Sequence, residues 1–117
     1  MSDITIRGQI KEIQVEISHS EDLLPDRAAE LLAKLAALLG NCLDEIRKRD
    51  AIYRQILLLA YESEKHASRA KIKAENDPSY QDLREAQDTK ILTLEMLRSL
   101  KYFLKEKQEE FMYGNHQ

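Results

Sequence analysis

The stretch Asn76–Asp77–Pro78–Ser79 decides the predicted fold, because it is the clearest point in the chain where one helix ends and another begins. Asparagine suits the C-terminal cap of a helix, aspartate suits the N-terminal cap of the next helix, and proline suits its first position. The link is short, so the helices on its two sides must run antiparallel. The sequence therefore predicts an all-α fold built on a long, coiled-coil-like helical hairpin.

The helix before this turn is predicted to span residues 25–75. Pro25 suits a first helical turn, and Asp26 beside it complements the helix dipole. Leucines then recur at intervals of three and four residues, and helical spacing resumes directly after Gly40. No proline follows Gly40, and a glycine inside a helix costs only about 1 kcal/mol. We therefore expect one long helix that Gly40 could kink.

The helix after the turn is predicted to span residues 78–112, with residues 113–117 as a tail. Its apolar face is wide, because Leu92, Met96 and Phe103 extend the main line of leucines sideways. An arc this wide can touch two neighbours. It predicts either docking of the N-terminal segment or an interface between copies of the chain. The candidate residues for such an oligomer interface are Leu92, Met96, Leu100, Phe103, Leu104 and Phe111.

The N-terminal segment and linker, residues 1–24, contain an ambiguous stretch at residues 4–17. Alternating isoleucines there are typical of a strand, whereas Ile10, Ile13 and Ile17 fit one face of a helix. A lone strand would have no partner elsewhere in the chain, so we expect a short helix. At 117 residues the chain is predicted to form a single helical domain, residues 1–117.

The sequence is poor in catalytic signals, and we expect a protein that is not an enzyme and needs no metal or cofactor. It contains no glycine-rich phosphate loop, no GxSxG and no HExxH. Cys42 is the single cysteine, which excludes an intramolecular disulfide and a CxxC metal site. His66 follows Glu62 by one helical turn, but two ligands do not make a site, and an ordinary ion pair is favoured.

No secretory signal is recognisable, and the longest apolar run, residues 56–61, is far too short to cross a bilayer. These features predict a cytoplasmic protein without a membrane contact.

Positive charge is concentrated in one part of the chain. The formal net charge is −3, yet residues 47–73 contain eight basic and three acidic residues. On a single helix, Arg47, Arg54, Tyr61, Lys65 and Arg69 would share one stripe, which also includes Leu58 and would run for roughly 33 Å. Spaced cations neutralise the phosphates of a nucleic-acid strand, and an aromatic ring between them offers a stacking surface.

Two other readings of this stripe stay open. It could be an ordinary solvated face, since Asp50 can pair with Arg47 and Arg54, although Arg69 has no carboxylate three or four residues away. It could also meet an acidic partner protein.

The overall layout resembles the small helical proteins of phage recombination modules, and most nearly the UvsY-type recombination mediators. The stretches that carry this resemblance are residues 53–60, 65–71, 76–80 and 97–104. The resemblance implies a non-enzymatic, ring-like homo-oligomer that binds single-stranded DNA in the host cytoplasm. It also implies partners, namely a recombinase and the single-strand-binding protein that covers the DNA. By position, Lys65, Arg69, Lys71 and Lys73 would contact DNA, and the last helix would contribute to assembly.

The leading hypothesis is a single-stranded nucleic-acid-binding accessory protein. Its predicted contact residues are Arg47, Arg54, Tyr61, Lys65, Arg69, Lys71 and Lys73. The alternative is a helical adaptor or regulator that binds other proteins and makes no contact with nucleic acid.

Overall fold

The fold is all-α, as predicted. The computed structural model describes residues 5–19 and 23–114, apart from the side chains of residues 19, 111, 113 and 114. Within these ranges there is no strand, and four helices follow one another. They are α1 (Ile6–His19), α2 (Pro25–Ser63), α3 (Ala67–Glu75) and α4 (Pro78–Gly114). The helical interpretation of the N-terminal segment is therefore confirmed from Ile6 onward.

The chain divides into two compact units. Unit 1 comprises residues 1–40 and 91–117, and unit 2 comprises residues 41–90. The long helices α2 and α4 each contribute to both units, whereas α1 belongs to unit 1 and α3 to unit 2. Gly40 lies inside the continuous helix α2, which runs through this position without interruption.

Unit 1 is built from α1, the first part of α2 and the last part of α4. The interior receives Ile10 from α1, Leu31 and Leu35 from α2, and Leu100 from α4, each no more than 1% exposed. Burying a side chain of this size contributes about 1.5–3 kcal/mol. The α1 and α2 segments are also joined by a bidentate ion pair, in which the Arg27 guanidinium donates to both carboxylate oxygens of Glu16 (2.7 and 3.0 Å).

The interior of unit 1 corrects part of the predicted oligomer interface. Met96 and Leu100 are 7% and 1% exposed, so the chain's own helices already cover them. The wide apolar arc predicted either docking within the chain or an interface between copies. For Met96 and Leu100, the outcome is docking within the chain. Leu92, Phe103 and Leu104 are only half-buried, and their contact with a second copy stays a prediction. The side chain of Phe111 lies outside the described part of the structure.

Unit 2 contains the predicted antiparallel hairpin. The rings of Tyr53 on α2 and Tyr80 on α4 lie 5.2 Å apart between centroids. Earlier on α2, the Arg49 guanidinium lies 3.7 Å from the carboxylate of Asp82, which is later on α4. From the first contact to the second, the position on α2 moves backward from Tyr53 to Arg49, while the position on α4 moves forward from Tyr80 to Asp82. The two segments therefore run in opposite directions.

The short helix α3 packs in unit 2 through alanines. Ala70 and Ala74 are fully buried, and they cluster with Ala60 of α2, which is 4% exposed. Tyr53, Ile56 and Leu57 pack against the same cluster. Small side chains let the backbones of two helices approach closely, so this alanine cluster fixes the face that α3 turns to α2.

The single helix predicted over residues 25–75 is wrong, because α2 ends at Ser63 and α3 begins at Ala67. The Ser63 hydroxyl donates to the carbonyl of Ala60 (3.2 Å), and such local bonds compete with helical ones. The Lys73 ammonium donates to Ser63 Oγ (3.2 Å). In a straight helix these two residues would be about 15 Å apart along the axis. The contact therefore requires the chain to fold back between them.

The helix end and the helix start predicted at residues 76–78 are confirmed, but the reversal predicted there is wrong, because the chain already folds back at the break between α2 and α3. Asn76 is the C-terminal cap of α3, and α4 begins at Pro78. The carboxylate of Asp77 accepts a hydrogen bond from the backbone N–H of Ser79 (2.9 Å), which lowers the pKa of the Asp77 carboxyl. Helix α4 continues to Gly114, two residues beyond its predicted end, and residues 115–117 lie outside the described part.

Candidate nucleic-acid interface

The predicted contact residues do not share a single helix. Arg47, Arg54 and Tyr61 lie on α2, but Lys65 lies in the break after α2, and Arg69 lies on α3. The continuous stripe of roughly 33 Å predicted from one helix is therefore wrong. What remains on α2 is a shorter stripe of Arg47, Arg54, Leu58 and Tyr61, within an arc of about 60°.

The two arginines of this shorter stripe are paired with acidic residues. Arg54 contacts the carboxylate of Asp50 at 2.8 Å, as one of the alternatives predicted, and Arg47 contacts Asp44 at 3.5 Å. Both arginine side chains are at least 75% exposed, so each ion pair contributes little to stability. The pairs still cancel the local charge, and this stripe offers little net attraction to phosphate.

Among the predicted contact residues, the positive charge that no ion pair compensates within the described ranges lies further along the chain, at the break and on α3. Lys65, Arg69 and Lys71 are exposed, and none of them forms an ion pair with any other residue in the described ranges. Lys73 differs, because its ammonium contacts the carboxylate of Glu64 at 3.7 Å in addition to Ser63. With respect to the described residues, three of the four cations in residues 65–73 have no ion pair and can meet an external anion.

The aromatic residues of unit 2 divide into packed and exposed rings. Tyr53 packs against Tyr80, and its burial raises the pKa of its hydroxyl. The guanidinium of Arg84 lies 5.8 Å from the centre of the Tyr80 ring, so that ring already has a cationic partner. Tyr61 is 45% exposed and precedes the end of α2 by two residues. The exposed ring of Tyr61 and the unpaired Lys65 are thus four residues apart in the chain.

His66 and Cys42, the histidine and the cysteine considered in the sequence, lie at a helix cap and in the interior of the fold. His66 is the N-cap residue of α3 and not part of α2, so it does not face Glu62 at helical spacing, and the ion pair predicted there is wrong. Cys42 is buried, with 2% of its surface exposed. In residues 5–19 and 23–114, no three His, Cys, Asp or Glu side chains are grouped so that they could hold a metal ion.

Comparison with known proteins adds no assignment. No protein-family model matches the chain, and no curated protein or solved structure is significantly similar to it. Among the helices of the described part, none combines the length and the apolar character needed to cross a membrane. Function is therefore inferred from the side chains described above.

Proposed function

We propose that this protein is a non-enzymatic accessory protein that binds single-stranded nucleic acid through the break and α3. The observation that supports this proposal is that Lys65, Arg69 and Lys71, which are close in the sequence, are all exposed and unpaired within the described part of the chain. Such cations release counterions when they meet phosphates, and the exposed ring of Tyr61 offers a stacking surface nearby in the chain.

The proposal includes self-association, because one copy offers few contacts. Three phosphate contacts on a single strand give a salt slope of only about 2, which is modest for a DNA-binding protein. In a homo-oligomer, several copies would present the same three cations to one nucleic-acid strand. The weak contacts of the copies then add up, and no new kind of contact is needed. The resemblance to UvsY-type mediators supports this arrangement, together with a recombinase and a single-strand-binding protein as partners in the host cytoplasm.

Fluorescence anisotropy with labelled oligo-dT at several salt concentrations tests the proposal. The native protein should bind at micromolar concentration, and the triple variant Lys65→Gln/Arg69→Gln/Lys71→Gln should show a salt slope lower by about 2, since each lost contact removes about 0.7. Absence of salt-sensitive binding by the native protein would refute the proposal. Light scattering gives the mass in solution, and a monomeric mass would refute the oligomeric part.

A matched control separates specific contacts from a general change in net charge. Arg7, Lys11 and Lys34 are also exposed, and all three belong to unit 1. Replacing each with Gln removes the same three charges from a different part of the chain. This unit 1 control should retain the native salt slope.

The second candidate function is a protein-binding adaptor, and the exposed apolar side chains of unit 2 favour it. Leu58, Leu59 and Ile72 are each at least 60% exposed. An adaptor would show no salt-sensitive binding to oligo-dT in either the native protein or the charge variant. Leu59→Ser combined with Ile72→Ser would instead abolish binding to its protein partner.

A further inference from the structure

The outward side of α4 in unit 1 has a second group of cations around an exposed aromatic ring. On the α-helical wheel, Leu94, Arg98, Lys101, Tyr102 and Lys105 fall within an arc of about 100°, opposite the buried residue Leu100. We call Arg98, Lys101, Tyr102 and Lys105 the α4 stripe. None of these four residues belongs to a site predicted from the sequence.

Within the residues that the structure describes, no ion pair compensates the cations of the α4 stripe. Arg98, Lys101 and Lys105 are exposed, and in the described part of the chain none of them forms an ion pair. Only one acidic residue, Glu95, lies between Leu94 and Lys105 in the sequence. The neighbouring Lys107 contrasts with them, because its ammonium contacts Glu110 at 3.4 Å and lies 5.7 Å from the ring centre of Phe103.

The ring of the α4 stripe is open to an external partner. Tyr102 is 64% exposed, compared with 45% for Tyr61. It is adjacent to Lys101 in the sequence and lies one helical turn from both Arg98 and Lys105. The cations thus surround the ring along the helix at intervals of about 4.5–6 Å in axial rise.

We propose that the α4 stripe is a second binding surface for single-stranded nucleic acid. A row of cations can follow the phosphates of a flexible strand, while the ring stacks on an unpaired base. An anionic membrane fits less well, because a helix that lies on a membrane separates its apolar face from its charged face. In the α4 stripe the cations and the ring are interspersed on one side. The proposal shares its ligand class with the proposed function, but it uses none of the same residues.

The test compares two variants of equal charge by anisotropy with labelled oligo-dT. The α4 variant is Arg98→Gln/Lys101→Gln/Lys105→Gln, and the control is the unit 1 control defined above. A fourfold rise in salt concentration should weaken oligo-dT binding by both proteins. The loss of affinity should be about 20-fold smaller for the α4 variant than for the native protein, because the variant lacks three phosphate contacts. The control should retain the native salt dependence, and circular dichroism should show equal helix content in all proteins, since every altered side chain is exposed.

Substitution of the ring tests the stacking contact separately. Tyr102→Leu should weaken binding about fivefold, near the lower end of the range for one stacked base. Tyr102→Phe retains the ring and should bind like the native protein. Equal loss of affinity in Tyr102→Leu and Tyr102→Phe would contradict stacking and overturn this part of the proposal.

The pattern of losses distinguishes this inference from the proposed function. If the triple variant Lys65→Gln/Arg69→Gln/Lys71→Gln loses salt-sensitive binding and the α4 variant behaves like the control, the α4 stripe is not a binding surface and the inference fails alone. If only the α4 variant loses binding, the inference stands and the site on α3 fails. If the α4 variant loses binding to phosphatidylserine vesicles but retains oligo-dT binding, the stripe recognises a lipid surface and the inference is overturned.

Discussion

Replacement of Gly40 by alanine should stabilise the protein, because nothing in the structure requires a glycine at this position. Gly40 is exposed inside α2, and its backbone φ is not positive. A Cβ atom added there would meet nothing within 4 Å. The full difference in helix propensity between the two residues, about 0.8–1.0 kcal/mol, should therefore appear as extra stability. For a chain of this size that corresponds to a melting temperature higher by about 4 °C.

Urea unfolding followed by far-ultraviolet circular dichroism measures this difference. Ala36 is exposed one turn earlier on the same helix, and Ala36→Gly should lose about as much stability as Gly40→Ala gains. The double variant should then resemble the native protein, since the two changes offset each other. The reasoning is refuted if Ala36→Gly destabilises as expected while Gly40→Ala gives no gain, because Gly40 would then have a role that an open helical position does not explain.

Three further predictions concern packing and pH. Leu35→Ala removes a fully buried side chain of unit 1 and should cost about 2–5 kcal/mol in urea unfolding. Ala70→Leu overfills the alanine cluster and should cost about 1–3 kcal/mol, whereas Ala67→Leu on the exposed side of α3 should cost far less; equal losses would contradict the packing of α3. The lowered pKa of Asp77 contributes stability that is present above its ordinary pKa of 3.8 and is lost as the pH falls through the lowered value. Thermal unfolding of Asp77→Asn should lack this acid-dependent component.

Local signals in the sequence were sufficient for some helix boundaries. The helix end and the helix start at residues 76–78 were predictable because asparagine and aspartate, which suit helix caps, precede a proline, which suits the first helical position. The assignment of α1 to a helix followed from Ile10 and Ile13, and both are buried as that helical face requires. In each case, the residues that determine the structure are close to one another in the chain.

The break after Ser63 could not be predicted in the same way. Residues 62–66 contain neither glycine nor proline, and helical spacing continues on both sides. The break is accompanied by contacts between residues ten apart, such as Lys73 with Ser63, and by the burial of Ala70 and Ala74 against α2. Tertiary packing of this kind overrides local propensity and leaves little trace in the sequence.

The candidate site was predictable in part from charge spacing. The pairing of Arg54 with Asp50 and the lack of a carboxylate partner for Arg69 both followed from helical intervals, and both are confirmed within the described residues. Lys65 follows Glu62 by three residues, a spacing that favours pairing on a helix, but α2 ends between them and no such pair forms in the described part. The cations of the α4 stripe recur at helical intervals in the sequence, but the apolar face of the same helix gives the stronger signal there.

Helix α3 packs through small side chains, and this affects how readily it unfolds locally. Helix α3 has nine residues, and its buried residues are Ala70 and Ala74. Isolated helices shorter than about 12–15 residues are marginal in water, and alanine buries little surface. The backbone amides of α3 should therefore exchange with deuterium well before those in the middle of α2 or α4. A nucleic-acid strand bound by Arg69 and Lys71 would stabilise the folded state of this helix. Ligand-dependent protection from exchange should therefore be largest in α3.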